Sequence, residues 1–278
     1  YSLCPDISSK KEILRVLERA SHTPHTSSYG EDITAMVTSD VESLIEYYIS
    51  LLPQASHQII KSIEGQVRWF EKRYGPTLAR LEEIKEIIRN KSDYGIFKVL
   101  VGYHDAFSED DWDTAREKRE EALKQLVQSV NTENFPEWSK KVQEIAKEYQ
   151  GTDPGEYQYF STFLYELAKE KPELGCKLMN VKILEPFLIH LLAGLWMSKH
   201  RELAIEFINT SLKKNEHLPL LAQLFDYTDS VDEKILNRIF TKAKAKKDVN
   251  ALTNILGSIV RNYSKNIELK TLFLKVIS

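Results

Sequence analysis

A chain of 278 residues, 42% of them hydrophobic, is long enough to bury a substantial core, as one large domain or two smaller ones. Ten glycines and nine prolines are little over half the usual combined share, which argues against a turn-rich β fold and for long helices. The formal net charge of −3 sets no overall demand for nucleic acid or an anionic membrane, and the two cysteines, Cys4 and Cys176, exclude a disulfide framework or zinc ribbon.

In chain order, helix starts recur. Ser9-x-x-Glu12 and Ser39-x-x-Glu42 match the capping box, in which a hydroxyl accepts from the third helical N–H while the acid reaches back. Helices are predicted near 9–20, 39–52, 54–74 and 76–90, the last two parted by Gly75-Pro76, because proline cannot continue a helix behind it. Ser21 to Asp32, rich in Ser, Thr, His, Pro and Gly, predicts an exposed loop. Ile96 to Tyr103 predicts a short buried helix, with a strand as the alternative its β-branched residues allow. Further starts are expected at Ser108 with Asp111, Asn134 with Glu137, Asp153-Pro154 with Glu156, and Ser230 with Glu233. These elements divide into an N-terminal helical region, 1–107, and a helical-repeat region, 108–278, expected to run on from it. The opening Tyr1 and the amphipathic stretch Leu269 to Ile277 suggest a segment cut from a longer protein.

The C-terminal third carries a weak internal repeat. Ala204, Leu236 and Leu269 stand 32 and 33 residues apart, as do Ile208, Phe240 and Phe273; Leu220 with Leu252 and Leu224 with Leu256 repeat the step. A helix–turn–helix unit of this length buries its apolar face only against a neighbour, so the expected fold is all-α, with helix pairs stacked as an irregular α-solenoid. Leu252, Ile255, Leu256 and Ile259 form the predicted stacking stripe. Pro186 to Met197 is apolar all round, as a helix surrounded by others should be. The run from Val181 to Met197 carries Lys182 and Glu185 and is short for a bilayer span, and no signal peptide opens the chain. With the sparse cysteines, this points to the cytoplasm and to no membrane partner.

Chemistry-bearing motifs are few. His22-x-x-His25 offers two metal ligands in a loop without a third, and His104-Asp105 reads more simply as a polar turn than as an oriented base. His190 lies in an apolar helix, where a buried, hydrogen-bonded histidine is the plain reading. Glu109, Asp110, Asp111 and Asp113 lack the spacing of a calcium loop and suit a helix N-terminus. Arg116, Glu120 and Lys124, four apart, mark a solvated face. No phosphate-binding glycine loop, zinc-protease or serine-hydrolase motif occurs, so no catalytic, cofactor or metal residue is assigned and the segment is not expected to be an enzyme.

Two surfaces stand out. Lys234, Arg238, Lys242 and Lys246 share one side of a helix, and the stretch Val231 to Ser278 holds ten Lys/Arg against four Asp/Glu, which would suit a phosphate backbone. Between 157 and 165, Phe160 and Phe163 form a core stripe, while Tyr157, Tyr159 and Tyr165 lie partly off it and would suit a protein partner, or equally core packing with their hydroxyls at the rim.

The middle of the chain carries Trp112 through Arg119, Leu123-x-x-Leu126-Val127, Phe135-x-x-Trp138, Ile145-Ala146, Phe160-x-x-Phe163-Leu164-x-x-Leu167-Ala168 and Lys171-Pro172. Over residues 94–180 this resembles the degenerate HEAT/TPR-like helical repeats at the C-terminal ends of large bacterial NTPase and other multidomain proteins, anti-phage defence proteins among them. The resemblance implies a sensor that recognises a foreign protein while the effector lies elsewhere in the chain, with any ATPase part expected before Tyr1. The expected function is therefore recognition or scaffolding, with a protein partner or other domains of the same chain. Nucleic-acid binding by the basic face is the first alternative, and an enzyme with a site assembled from scattered residues the second.

Overall fold

Helices form where apolar residues recur three and four apart, and they do so throughout: in the computed structural model the described residues, 7–21, 31–75, 78–101, 111–149, 155–228, 231–262 and 269–277, hold fifteen α-helices and no strand. The all-α class is as expected. The chain divides into two compact units, Tyr1–Ala122 and Leu123–Ser278, so the division falls inside a helix and not at residue 107.

The first unit contains α1 (Ile7–Ser21), α2 (Glu31–Leu51), α3 (His57–Tyr74), α4 (Leu81–Arg89), α5 (Ser92–Leu100) and the start of α6 (Trp112–Ser129). The hub is α3, which packs against α1, α2, α4 and α5. Its apolar face buries Ile59, Ile60, Ile63, Val67 and Phe70. Two buried polar side chains on α3, Gln66 and Glu64, are each matched by partners. Gln66 donates to the Leu14 carbonyl at 3.0 Å and accepts from the Tyr48 hydroxyl, while Glu64 accepts from Tyr94 and pairs with Lys98 at 2.7 Å. Each pairing replaces water lost on burial, without which such a group would be costly to fold away. The stretch over 96–100 is helical, as the last residues of α5, not a strand.

Several starts differ from expectation, for one reason. α1 begins before Ser9 and α2 before Ser39, whose carbonyl accepts from Ser43 inside the helix. A capping box read within a continuous apolar pattern is only a polar turn of the exposed face. α3 starts at Ser56, whose hydroxyl accepts from the Ile59 N–H, and α4 starts at Leu81, after Pro76. Asp111 itself caps α6, accepting from the N–H groups of Asp113 and Thr114 at 3.0 Å. Asp232 caps α13 in the same way, accepting from the Ile235 N–H at 3.1 Å. Ser108, Ser230, Asp153 and Pro154, and the loop residues 22–30, lie outside the described residues.

The second unit contains the end of α6, then α7 (Phe135–Lys147), α8 (Gln158–Glu170), α9 (Pro172–Met179), α10 (Leu188–Met197), α11 (Arg201–Lys214), α12 (Leu218–Gln223), α13 (Glu233–Lys246), α14 (Val249–Asn262) and α15 (Leu269–Ile277). Each helix from α8 onward packs against the next, and α10 also packs against α8, as α14 does against α12. α10 is buried on every side, as its composition predicts. It lies so close to α8 that a Cβ added at Gly194 would sit 2.2 Å from the Tyr165 carbonyl oxygen and 2.9 Å from Ala168 Cβ. A Cβ added at Gly175 on α9 would likewise sit 2.7 Å from Ala168 Cβ.

Two helix ends of this unit are built alike. α11 ends at Asn215, whose backbone is left-handed (φ 56°), and the Glu216 N–H donates to the Ser211 carbonyl at 2.9 Å. Thirty-two residues on, α13 ends at left-handed Lys247 (φ 56°), and the Asp248 N–H donates to the Ala243 carbonyl at 2.9 Å. Both are Schellman turns, which satisfy the last carbonyls of a helix. Bonds at a similar interval join the helices. Arg201 pairs with Asp232, Arg238 donates to Asn209 Oδ1 at 2.7 Å, and Lys246 donates to the Asn215 carbonyl at 3.3 Å. These three set α11 and α13 side by side and parallel. Asn254 donates to the Pro219 carbonyl, and the single Ser258 hydroxyl proton is within reach of both the Ala222 carbonyl and Asp226.

The predicted stripe on α14 is rotated. Ile255 and Ile259 are fully buried, but Leu252 and Leu256 are half-buried and Val260 is exposed. Ala251, Ser258 and Asn262 take the inner face instead, because α12 is a short helix whose carbonyls need donors that leucine cannot supply. No single helix among the described residues is long and apolar enough to cross a membrane.

Candidate functional site

Three helices of the second unit meet around an open cleft of about 730 Å³. Its walls carry Tyr157, Gln158 and Tyr165 from the start and middle of α8, and Pro186, Phe187 and His190 from the entry to α10. Tyr149, just past α7, and Tyr227, after a short 3-10 turn that follows α12, close the ends. The floor is an aromatic cluster. Tyr157 meets Tyr149 edge-on at 5.0 Å between ring centroids, and Phe187 lies 4.9 Å from Tyr149 and 4.8 Å from Phe160. Such pairs hold rings in fixed orientation, each adding about 0.5–1.5 kcal/mol beyond burial.

His190 packs edge-on against Tyr227 at 5.1 Å, and its burial pulls the imidazole down to about 4. The ring is therefore neutral near pH 7, an uncharged donor and acceptor within the cleft. Tyr227 is 38% exposed, and burial pushes its phenol upward, with Asp226 adding to the shift. Lys169 lies over the Tyr165 ring at 5.6 Å and reaches Glu166 at 3.3 Å, a cation balanced by its own neighbour on α8.

The sequence-predicted tyrosines part company here. Tyr157 is buried at 3% exposure and serves as floor, which removes it from any exposed contact surface. Tyr165 lines the cleft and is half-buried, and Tyr159, also half-buried, is not part of it. Tyr149 and Tyr227 were not singled out from sequence. Both stand just beyond helix ends, where no periodicity assigns them a face.

The basic row is real in space. Lys234, Arg238 and Lys246 are exposed on α13 and Lys242 is half-buried, with Arg238 and Lys246 held against α11 as described. His22, His25, His104, Asp105, Glu109 and Asp110 lie outside the described residues, and among the described residues no three His, Cys, Asp or Glu side chains gather as a metal site. Asp111 and Asp113 are used locally: Thr114 holds the Asp111 carboxyl below its usual range, and Asp113 reaches Arg116 at 3.5 Å. His190 is half-buried, not fully buried, and lies against the Tyr227 ring.

A larger open hollow, about 910 Å³, lies among the turns that follow α6, α8 and α10. Its central feature is Lys171, whose ammonium donates to the carbonyls of Val127 at 2.6 Å, Gln128 at 2.9 Å and Val130. All three donors are spent on the C-terminal end of α6, where a cation is favoured by the helix dipole. This hollow is a structural joint.

Comparison with known proteins gives no match: no family model, no curated protein and no solved structure corresponds to this chain.

Proposed function

We propose that this chain is a cytoplasmic helical-repeat recognition module that binds a protein partner without a catalytic step of its own, and that the tyrosine cleft of its second unit is the contact site. The repeat reading, helix pairs stacked as an irregular solenoid, is supported by the twin Schellman turns and by the lateral bonds that recur about 32 residues apart. The observation that carries the function is the cleft itself. Tyr165 and Tyr227 offer ring faces with polar tips above a rigid aromatic floor, beside a neutral imidazole. Side chains of this kind are prominent among binding hot spots, since they bury much area at small entropic cost. The resemblance of residues 94–180 to sensor regions of bacterial defence proteins points the same way, and a foreign protein is the partner class it suggests.

Selection of a displayed random-peptide library on the purified protein tests this reading. Enriched peptides should bind the protein and lose about thirtyfold or more in affinity when Tyr165 and Tyr227 are both replaced by alanine, the scale of a hot-spot pair. Peptides that bind the Tyr165→Ala/Tyr227→Ala variant as tightly as the parent, or a selection that enriches nothing, would count against the cleft.

A further inference from the structure

The basic row on α13 has a property that ordinary surface lysines lack. Where arginines of this unit are structural, they meet acids: Arg201 pairs with Asp232 and Arg261 with Asp226. Arg238 and Lys246 instead reach across to α11 and are oriented by neutral acceptors, the Asn209 side-chain oxygen and the Asn215 carbonyl. Their positions are held while their charge is left uncompensated. One hydrogen bond also leaves most of the five guanidinium donors of Arg238 unspent.

The parallel setting of α11 and α13 enlarges the row. Both helices end at the same side, where α11 carries Lys213 in its last turn and α13 carries Lys246 and Lys247, while Lys214 lines a hollow with Asn180, Lys182 and Glu185. Lys234 to Lys246 spans about 18 Å of helix axis, with a cation at roughly every 6 Å. Of the acids on these helices and at their ends, Glu202 meets His200 at 2.9 Å and Glu206 stands on α11 one turn before Asn209. Asp232 is occupied by Arg201 and the Ile235 N–H, Asp248 by the Ala251 N–H, and Glu233 and Glu216 stand outside the run of cations. The larger apolar rings of the two helices are not displayed: Phe240 is 7% exposed, and Phe207 stacks on His217.

We propose that the seam between α11 and α13 binds the phosphate backbone of a nucleic-acid duplex. A regular row of uncompensated cations, with Arg238 and Lys246 held in place by α11, suits an anion that recurs at fixed intervals along a stiff backbone. The lack of displayed rings disfavours base stacking, and with it a single strand. Binding is sequence-independent and strongly salt-dependent, because phosphate contacts release counterions. This surface is separate from the tyrosine cleft, so either assignment stands or falls without the other.

The test is fluorescence anisotropy of the full chain with a labelled duplex of about two turns (~20 base pairs), over a series of salt concentrations. The logarithm of the binding constant should fall with the logarithm of salt at a slope of about −3 to −4, near −0.9 for each of four cations engaged. Lys234 and Lys242 make no bond to α11, so Lys234→Gln/Lys242→Gln should fold normally, checked by thermal melting. It should reduce the slope by about 2 and weaken binding at least ~10-fold at low salt. Lys140→Gln, an exposed lysine on α7, should change the slope by no more than about 1 and leave binding within about twofold. Absence of binding at low salt would overturn the proposal, as would a seam variant indistinguishable from Lys140→Gln. Polyglutamate or anionic vesicles binding as tightly as the duplex, with the same dependence on Lys234 and Lys242, would mark a general anion-binding surface and refute the duplex assignment.

Discussion

His190 is the one described histidine whose protonation is shifted by as much as two pH units, and the cause is burial beside Tyr227. In the unfolded chain its imidazole titrates near 6.5, and in the folded protein at about 4. Above the unfolded value both states are neutral and its contribution to stability is fully present. Between about 6.5 and about 4 the unfolded chain takes up a proton that the folded protein refuses. Stability therefore falls as pH drops through that window, by about 1.4 kcal/mol per pH unit for one proton. Urea unfolding of His190→Gln, compared with the parent at several pH values from about 7 to about 4.5, should show this component removed, and equal pH slopes for the two proteins would contradict it. The same scale explains the misplaced helix starts. Asp111, Asp232 and Asp248 cap α6, α13 and α14 through their carboxylates, whereas the serines three residues from an acid were the more conspicuous pattern. Both patterns suit a helix start, and which one operates depends on where the apolar face begins to pack.

Among elements, α14 best shows what periodicity does and does not reveal. Its apolar residues announce a helix, and Ile255 and Ile259 were correctly placed inside, yet the face is turned so that Leu256 is half-buried. Ile255→Asp should place a carboxylate in a dry interface at a cost of several kcal/mol, so that thermal melting shows a large drop or no folded protein. Leu256→Asp, able to turn its carboxylate toward water, should lower the melting temperature by less than half as much. Equal losses would mean the inner face is not the one described. The rotation follows from α12, whose exposed carbonyls are met by Asn254 and Ser258. Nothing in the residues of α14 alone signals that demand. α10 was legible for the opposite reason: a helix apolar all round has no face to misjudge.

Across the whole molecule, stability should follow packing density. In the second unit α8 and α10 meet at van der Waals contact through Gly194 and Ala168, and in the first α3 is enclosed by four helices. Amide hydrogen exchange should find the slowest protons in α3, α8 and α10, with α1 and α15 exchanging by local opening well before global unfolding. Uniform protection along each unit, or slowest exchange in α15, would show that the core lies elsewhere. The 32-residue step was visible in sequence because the positions it relates, Ala204, Leu236 and Leu269, are all fully buried and must be apolar. The step fades upstream, where the helices differ in length and α8, α9 and α10 pack through small residues instead.

By itself, the sequence determined the helical class, the buried character of α10 and the presence of a cation row on α13. All of these follow from local periodicity and composition, which each stretch of chain carries within itself. Tertiary structure alone decided that Tyr157 is floor while Tyr165 and Tyr227 are wall, that α14 turns its serine inward, and that Arg238 and Lys246 are oriented by α11 without losing their charge. Those outcomes depend on which neighbour a side chain meets, and the neighbours lie about thirty residues or more away along the chain.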